Sequence, residues 1–308
     1  MTPPLSHAFF QGEIVPVEEA KVSVATHALQ YGTGAFGGIR GYYQAETNAT
    51  HIFRLPEHLQ RVLDSARMLK IELPYSLEDL QNIIIELTQK NDQKSNTYYR
   101  PFAYKSGLDL TPLLVGVSSD FALYMIALED FYAADTAIHA TVSSWTRISD
   151  NIIPARGKIS GGYVNSSFAK DDALQAGFDE AILLNTQGKV CEGSAANIMM
   201  LRNDTLVTPP LTADVLEGIT RRSILEIAQE MGIAVEERNI DKSELFIADE
   251  LFFCGTGAQI KGIGRVDHRP IGDGATGPLT KQLFSTFKDI ISGKDESKAH
   301  WVTKIPHP

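Results

Sequence analysis

The stretch Arg156-Gly157-Lys158-Ile159-Ser160-Gly161-Gly162-Tyr163-Val164-Asn165-Ser166-Ser167 sets one lysine among glycines and small polar residues. It follows a break at Pro154 and precedes an apolar periodic run that begins at Phe168, so the pattern predicts a lysine on a turn. A lysine that forms a Schiff base must be partly desolvated, and small neighbours let a flat ring lie against it. On this stretch alone, an ordinary lysine in a glycine turn is the commoner interpretation.

The composition is that of an ordinary globular protein. Of 308 residues, 43% are hydrophobic and 21% are charged, and 28 Lys and Arg against 38 Asp and Glu give a formal net charge of −10. This balance argues against nucleic acid or an anionic membrane as the main partner. The longest apolar run, 121–128, is too short to span a bilayer, and no signal-peptide pattern is visible. Cys191 and Cys254 have no ligand-like spacing, so we expect a cytoplasmic location and no metal site.

A literal G-x-G-x-x-G occurs at Gly32, Gly34 and Gly37. A dinucleotide site needs a helix that opens at these glycines and an acidic residue about 20 residues later. The glycines run instead into Ile39-Arg40-Gly41-Tyr42-Tyr43, which favours a strand, and the acid near that spacing, Glu57, lies at a predicted helix start. The pattern therefore disfavours a nicotinamide site.

The hydrophobic periodicity predicts two domains of mixed helix and strand. Amphipathic helices alternate with strands before the sequence loosens around residue 130, and strands resume at residue 138. The tail over 293–308 is polar and predicts no element. The expected divisions are an N-terminal α/β domain over 1–129, an interdomain loop over 130–136 and a C-terminal domain over 137–308 that carries the lysine.

Three further features suit a phosphorylated ring. Residues 216–221 open a helix with a glycine and a hydroxyl, so free backbone N–H groups and the helix dipole would attract a phosphate, although Thr220 as a simple cap is the commoner interpretation. Gly255-Thr256-Gly257 follows a strand and forms a second small anion nest, as many ordinary turns do. Glu192 stands at an apolar strand end, where a carboxylate would keep a pyridine nitrogen protonated. By itself such a residue is more often a surface glutamate.

With Arg54 just before a helix, these pieces follow one another in a familiar order. The chain resembles the fold-type IV, or class IV, aminotransferases that depend on pyridoxal 5'-phosphate, most of all the branched-chain amino acid aminotransferases. The resemblance runs from about Gly12 to Ser292 and implies an α+β fold of two α/β domains joined by a loop. The matching segments are Gly38-Ile39-Arg40, Tyr98-Tyr99-Arg100-Pro101, Val142-Ser143-Ser144-Trp145, the lysine loop, Glu192-Gly193-Ser194, Gly218-Ile219-Thr220-Arg221 and Gly255-Thr256-Gly257-Ala258.

The resemblance implies a role for each matching residue. Lys158 is the expected catalytic residue, which binds the cofactor and moves a proton at the substrate Cα. The other expected cofactor contacts are Arg54, Tyr163, Glu192, Gly218, Ile219, Thr220, Gly255 and Thr256. The expected substrate contacts are Tyr31, Phe36, Gly38, Arg40, Tyr98, Arg100, Tyr132, Thr256, Gly257 and Ala258. Arg100 would receive the distal carboxylate of glutamate or 2-oxoglutarate.

The implied reaction moves an amino group between leucine, isoleucine or valine and 2-oxoglutarate by a ping-pong mechanism. Members of the family are homodimers or larger, and our candidate for the loop that closes a neighbour's pocket is Leu108–Val117. A D-amino-acid transaminase or an aminodeoxychorismate lyase of the same fold is the nearest alternative. A non-catalytic binding protein on this fold is an alternative of a different class.

One position departs from the family pattern. Branched-chain enzymes usually have Phe-Glu-Gly-Ile-Arg where this chain has Phe36-Gly37-Gly38-Ile39-Arg40. We hypothesise that loss of the acidic side chain at Gly37 enlarges or neutralises the pocket and widens specificity to (R)-configured primary amines.

Overall fold

The computed structural model describes residues 2–128 and 136–308. These residues form two compact units of α+β structure. The first holds residues 2–128, 157–161 and 289–308, and the second holds residues 136–156 and 162–288. This division differs from the expected one in two places, because the lysine loop and the tail group with the first unit. Apart from Thr136, the expected interdomain loop lies outside the described residues.

The first unit is an antiparallel sheet with helices packed on it. The elements are β1 (His7–Phe10), β2 (Glu13–Pro16), α1 (His27–Tyr31), β3 (Gly34–Phe36), β4 (Ile39–Gln44), β5 (Ala49–Phe53), α2 (Leu55–Met68), α3 (Leu77–Asn91), β6 (Thr97–Lys105) and β7 (Ser119–Ala127). The order of its strands is β5-β4-β6-β7-β1-β2, and β3 also pairs with β6. Strands β1 and β2 form an antiparallel hairpin at the N-terminal end.

The two long helices of this unit form for local reasons that the sequence carries. Leu55, Leu59 and Val62 recur on one face of α2 and are all buried, each stabilising the fold by about 1.5–3 kcal/mol. Helix α3 starts at a capping box, in which the Ser76 hydroxyl accepts from Asp79 N at 3.1 Å and the Asp79 carboxylate accepts from Ser76 N at 2.8 Å. Burial of its apolar face thus holds α2 in the core, and the capping box fixes where α3 begins.

The second unit is built on a mixed sheet that closes on itself. The elements are β8 (Ile138–Thr146), α4 (Tyr163–Gln175), β9 (Glu180–Leu184), β10 (Val190–Gly193), β11 (Asn197–Arg202), β12 (Thr205–Thr208), α5 (Ile219–Glu230), β13 (Ala234–Glu237), β14 (Glu250–Gly255), β15 (Gln259–Val266), β16 (Arg269–Pro270) and α6 (Pro278–Ser292). Strand β10 pairs with both β9 and β11, so β8, β9, β10, β11, β14 and β15 form a ring. The pairs β8–β9, β8–β15 and β12–β13 are parallel.

The polar tail contains a strand that its sequence does not indicate. Within residues 293–308, β17 (Val302–Pro306) pairs antiparallel with β5 at the edge of the first sheet. His307 then anchors the segment, with Nε2 2.8 Å from Thr50 Oγ1 and Nδ1 2.9 Å from Asp92 Oδ1. The strand therefore depends on distant partners rather than on a local pattern. No helix in 2–128 or 136–308 has both the length and the apolar character needed to cross a bilayer.

Candidate active site

The backbone of Lys158 is fixed by the first unit. Phe36 N donates to Lys158 O at 2.9 Å, and Lys158 N donates to Ser65 Oγ at 3.0 Å. The next residue, Ile159, forms an isolated bridge with Ala35 of β3. The side chain is half-buried, and its Nζ lies 5.0 Å from the centroid of the Phe36 ring. A lysine held this way is partly desolvated and points along an aromatic face.

The glycines of the G-x-G-x-x-G pattern make room for this loop rather than for a dinucleotide. Gly32 has φ 65°, and a Cβ there would come within 2.7 Å of Gly161 Cα. A Cβ at Gly34 would lie 2.4 Å from the Phe102 ring. The strands β3 and β4 follow, and no helix opens at these glycines. The sequence-based rejection of a nicotinamide site therefore agrees with the local structure.

An aromatic ring and a guanidinium lie side by side near the lysine. The Arg100 guanidinium is 4.7 Å from the centroid of Phe36 and 5.3 Å from that of Tyr98. Its Nη2 is 3.4 Å from the Tyr98 hydroxyl, and a Cβ at Gly38 would come within 1.9 Å of that hydroxyl. A side chain at position 38 would therefore displace the Tyr98 hydroxyl. The first unit brings together five predicted site residues, Lys158, Phe36, Gly38, Tyr98 and Arg100.

Two other predicted substrate contacts lie in the same unit, and one lies outside the described residues. Arg40 is the cross-strand partner of Tyr98 and is 3% exposed, with its guanidinium 5.3 Å from the Tyr42 ring. Tyr31 is partly exposed and donates from its hydroxyl to Leu110 O at 2.5 Å. Tyr31 therefore lies against the segment predicted to close a neighbour's pocket. Tyr132 is not among the described residues.

Gly37 lies where the chain after β3 passes close to a neighbouring strand and a helix. A Cβ at this position would lie 2.6 Å from Pro101 Cγ and 2.9 Å from Val62 Cγ2. A side chain at position 37 would therefore meet Pro101 of β6 and Val62 of α2. Glycine permits this close approach, and the widened pocket that we hypothesised stays a prediction.

Arg54 is positioned by a residue that the sequence did not single out. It precedes α2 with φ 46° and is 4% exposed. Its guanidinium lies 3.7 Å from the centroid of the Trp301 ring, and its Nη1 is 3.3 Å from Glu57 Oε1. Trp301 belongs to the tail that predicted no element. Stacking on this ring restricts the orientation of Arg54, as a phosphate-binding guanidinium requires.

In the second unit, Glu192 of β10 is held by several donors. Arg147 Nη2 lies 2.8 Å from Oε1, and Asn197 Nδ2 and Leu216 N donate to Oε2 at 2.9 Å and 3.2 Å. Glu192 is 5% exposed. It is therefore a buried, paired carboxylate and not the surface glutamate that its type alone would favour. Neither Arg147 nor Asn197 carried a predicted role, because no local pattern links either of them to Glu192.

The remaining predicted cofactor residues mark two backbone turns and one helix start. Helix α5 begins at Ile219 after Gly218, without a side-chain cap from the Gly218 position, so its first N–H groups are suited to an anion. Thr220 in its first turn is 3% exposed. Gly255 ends β14, and Thr256, Gly257 and Ala258 form the turn into β15. Tyr163 is half-buried and is the first residue of α4.

Each unit, taken by itself, carries groups whose chemistry suits part of pyridoxal phosphate. The first unit supplies a half-buried lysine and a buried arginine, and the second supplies a helix start suited to a phosphate and a buried carboxylate suited to a ring nitrogen. The two cysteine thiols are not alternative nucleophiles to Lys158. Burial raises the pKa of Cys254 to about 12 and also raises that of Cys191, so neither is a thiolate at neutral pH.

Comparisons with known proteins agree with this fit. A family model described as amino-transferase class IV matches residues 34–266. A probable branched-chain-amino-acid aminotransferase of Aquifex aeolicus is 43% identical over 302 residues, which is 98% of this chain and 97% of that protein.

Two solved structures share the fold over nearly the whole chain. The branched-chain amino acid aminotransferase of Thermobaculum terrenum in its PLP, or holo, form is 32% identical with a TM-score of 0.94, and the match covers 98% of this chain and 99% of that one. The branched-chain aminotransferase of the thermophilic archaeon Thermoproteus uzoniensis, solved with norvaline, is 37% identical with a TM-score of 0.94, over 98% and 100% of the two chains.

Proposed function

Because the chain belongs to the class IV aminotransferases, which are fold-type IV enzymes that use pyridoxal phosphate, we propose that it moves the amino group of branched-chain L-amino acids to 2-oxoglutarate. The observation that carries the proposal is the setting of Lys158. Its backbone is hydrogen-bonded to Phe36 and Ser65, and its amine lies over the Phe36 ring. The names of relatives that match this chain over nearly its full length support the choice of substrate.

The bound cofactor supplies an electron sink that stabilises the negative charge left on the substrate Cα when its proton leaves. Lys158 Nζ holds the cofactor and then carries that proton. Glu192 would keep the ring nitrogen protonated, and Tyr163 would donate to the phenolic oxygen of the ring. The resemblance assigns phosphate binding to Arg54 of the first unit and to Ile219, Thr220 and Thr256 of the second.

The substrate side chain needs a site that accepts both an apolar group and a carboxylate. The Phe36 ring and the Arg100 guanidinium, 4.7 Å apart, supply these two surfaces within one unit. An apolar branched side chain packs on the ring, whereas the distal carboxylate of glutamate or 2-oxoglutarate pairs with the guanidinium. Tyr98 and the backbone of Thr256 and Gly257 take the α-carboxylate. Because one site serves both substrates, they bind in turn, and the mechanism is ping-pong.

Three finer points belong to the same proposal. Homodimers are expected from the resemblance and from the apolar loop near Leu110, which is 77% exposed. A cytoplasmic location is expected from the two cysteines, which are both free. Acceptance of (R)-primary amines has no support from Gly37 and stays a prediction of the sequence.

Lys158→Ala should abolish transamination while leaving the fold largely intact, because the hydrogen bonds from the backbone of residue 158 to Phe36 and Ser65 do not need the lysine side chain. Visible absorption spectra are recorded before and after separate additions of L-leucine, L-glutamate, D-alanine and an (R)-arylalkylamine. We expect L-leucine and L-glutamate to change the wild-type spectrum and to have no effect on the variant. Lys281→Ala, an exposed lysine of α6, is the matched control.

The spectra separate the alternatives. A response to D-alanine alone would replace the branched-chain assignment by a D-amino-acid transaminase, and a response to the amine would establish wider specificity. Absence of any cofactor band in wild-type protein reconstituted with pyridoxal phosphate would favour a non-catalytic binding protein. Full turnover by Lys158→Ala would remove the central assignment.

A further inference from the structure

The Glu192 carboxylate is clamped through both of its oxygens. Arg147 contacts Oε1 at 2.8 Å, while Asn197 Nδ2 and Leu216 N contact Oε2 at 2.9 Å and 3.2 Å. The side chains of Arg147 and Glu192 are only 8% and 7% exposed. A guanidinium on one oxygen and N–H donors on the other hold a carboxylate charged and prevent it from rotating.

Arg147 is itself fixed by two further bonds. The residue directly follows β8. Its Nε donates to Asp214 O at 3.3 Å, and its Nη1 donates to Ser166 Oγ of α4 at 3.4 Å. The three nitrogens of this guanidinium therefore connect a strand end, a helix and the segment before α5 to a single carboxylate. An arginine used only to neutralise charge would not need this many directed contacts.

Asn197 links Glu192 to the turn that begins α5. Its Nδ2 donates to Leu216 O at 3.0 Å as well as to Glu192, and a Cβ at Gly218 would come within 1.9 Å of its Oδ1. Glu192 and Asn197 are also the cross-strand pair through which β10 meets β11 and closes the ring of strands. One amide therefore sets the position of the carboxylate relative to the predicted phosphate-binding turn.

We propose that Arg147 and Asn197 are positioning residues of the reaction, which hold Glu192 as a fixed, charged carboxylate so that it keeps the cofactor ring nitrogen protonated. The inference rests on the role proposed above for Glu192. A glutamate that lost its charge or rotated would no longer stabilise the proton on that nitrogen, and the ring would withdraw less charge from the substrate Cα. Arg147 supplies the positive charge that pairs with Glu192, so its loss should have a larger effect than the loss of Asn197.

The test measures the protonation of the cofactor ring nitrogen directly. Wild-type protein and the variants Arg147→Met, Arg147→Lys, Asn197→Ala and Glu192→Gln are reconstituted with pyridoxal phosphate that carries 15N at the ring nitrogen, and the 15N chemical shift is followed with pH. We expect a protonated nitrogen in wild type and an unprotonated one in Glu192→Gln. Arg147→Met should move toward the unprotonated shift, with kcat about tenfold to hundredfold lower. Asn197→Ala should show a smaller change in the same direction.

Arg202→Met is the matched control, because Arg202 pairs with Glu244 elsewhere in the same unit. It should lower the melting temperature without changing the 15N shift. Since an unpaired buried glutamate destabilises a fold, Arg147→Lys decides the question if Arg147→Met does not fold. Lysine keeps the positive charge but cannot make the separate hydrogen bonds of the guanidinium nitrogens. The ring nitrogen should therefore lose its proton at lower pH than in wild type.

The outcomes separate this inference from the proposed function. If Glu192→Gln leaves the nitrogen protonated, the role proposed for Glu192 fails. If Glu192→Gln removes the proton but the Arg147 and Asn197 variants titrate like wild type, the role of Glu192 stands and the positioning role is overturned.

Discussion

The space beside Gly37 is set by Pro101 and Val62, whose side-chain carbons lie 2.6 Å and 2.9 Å from a Cβ built there. Gly37→Ala should therefore lower the free energy of unfolding by about 1–3 kcal/mol, because Pro101 of β6 and Val62 of α2 must move away from the added methyl group. Gly37→Glu should cost more, since it also buries a carboxylate. Urea unfolding measures the free energy of unfolding of both variants. In the double variant that combines Gly37→Ala with Val62→Ala, part of the stability lost in Gly37→Ala should be recovered. A Gly37→Glu protein as stable as wild type with an altered substrate profile would support the pocket hypothesis.

The sequence singles out candidate residues with chemistry of their own, but not the residues that support them. Lys158 stood out because glycines surround it, and Glu192 because a carboxylate ends an apolar strand. Arg147, Asn197 and Trp301 contact Glu192 or Arg54 from positions that no local spacing marks. Such contacts arise only when strands pair, so a sequence pattern that reports periodicity and turns contains no signal for them.

At the scale of one element, the 3-10 turn Lys242–Ile247 is tied down through Glu244. Its carboxylate accepts from Arg238 Nη2 at 2.8 Å and from Arg202 Nη1 at 2.5 Å. Hydrogen bonds, first from Arg238, lower the pKa of Glu244 from its ordinary value of 4.5 to about 2. The group is more acidic when folded, so its stabilisation is complete above its unfolded pKa and is lost as pH falls toward 2.

Glu244→Gln should therefore lower the free energy of unfolding at pH 7 by at most about 3 kcal/mol. The difference from wild type should shrink steadily as pH is lowered from about 5 to about 2, where the wild-type group becomes protonated too. Urea unfolding of both proteins over this range measures it. A difference that stays constant with pH would mean that packing, not charge, is the source.

The amphipathic helices expected before residue 130 are present as α2 and α3, whose apolar residues recur at helical spacing. Strand β15 has no such mark in its own sequence. Gly262 and Gly264 interrupt its alternation, yet both glycines are needed where Thr276 and Gly274 approach the strand closely. A strand is stabilised by its neighbours in the sheet, so its own sequence specifies it weakly.

For the whole molecule, the segment from Leu108 to Val115 predicts self-association. Leu108, Leu110, Leu113 and Val115 are 58%, 77%, 57% and 68% exposed, a concentration of apolar surface that marks an interface. The segment is held in place, since the Tyr31 hydroxyl donates to Leu110 O at 2.5 Å and His27 Nε2 lies 3.2 Å from Thr111 O.

Leu110→Asp should weaken dimers at least tenfold, because it places a charge in a surface that must lose water on association. Sedimentation of wild type should give twice the 33.8 kDa mass of one chain, and the variant should shift toward one chain on dilution. Ile247→Asp, at a residue 60% exposed in the other unit, should leave the mass unchanged. Wild-type protein that sediments as a single chain would contradict the dimer.

The pairing of β17 with β5 has a consequence for synthesis on the ribosome. The sheet of the first unit is encoded almost wholly before residue 128, yet its edge is completed by residues 302–306. While the second unit is being translated, the first has an open strand edge exposed to neighbouring nascent chains, the state in which strands pair wrongly. A stop codon introduced just before Trp301 should therefore yield protein that aggregates even though every residue proposed to touch cofactor or substrate has been made.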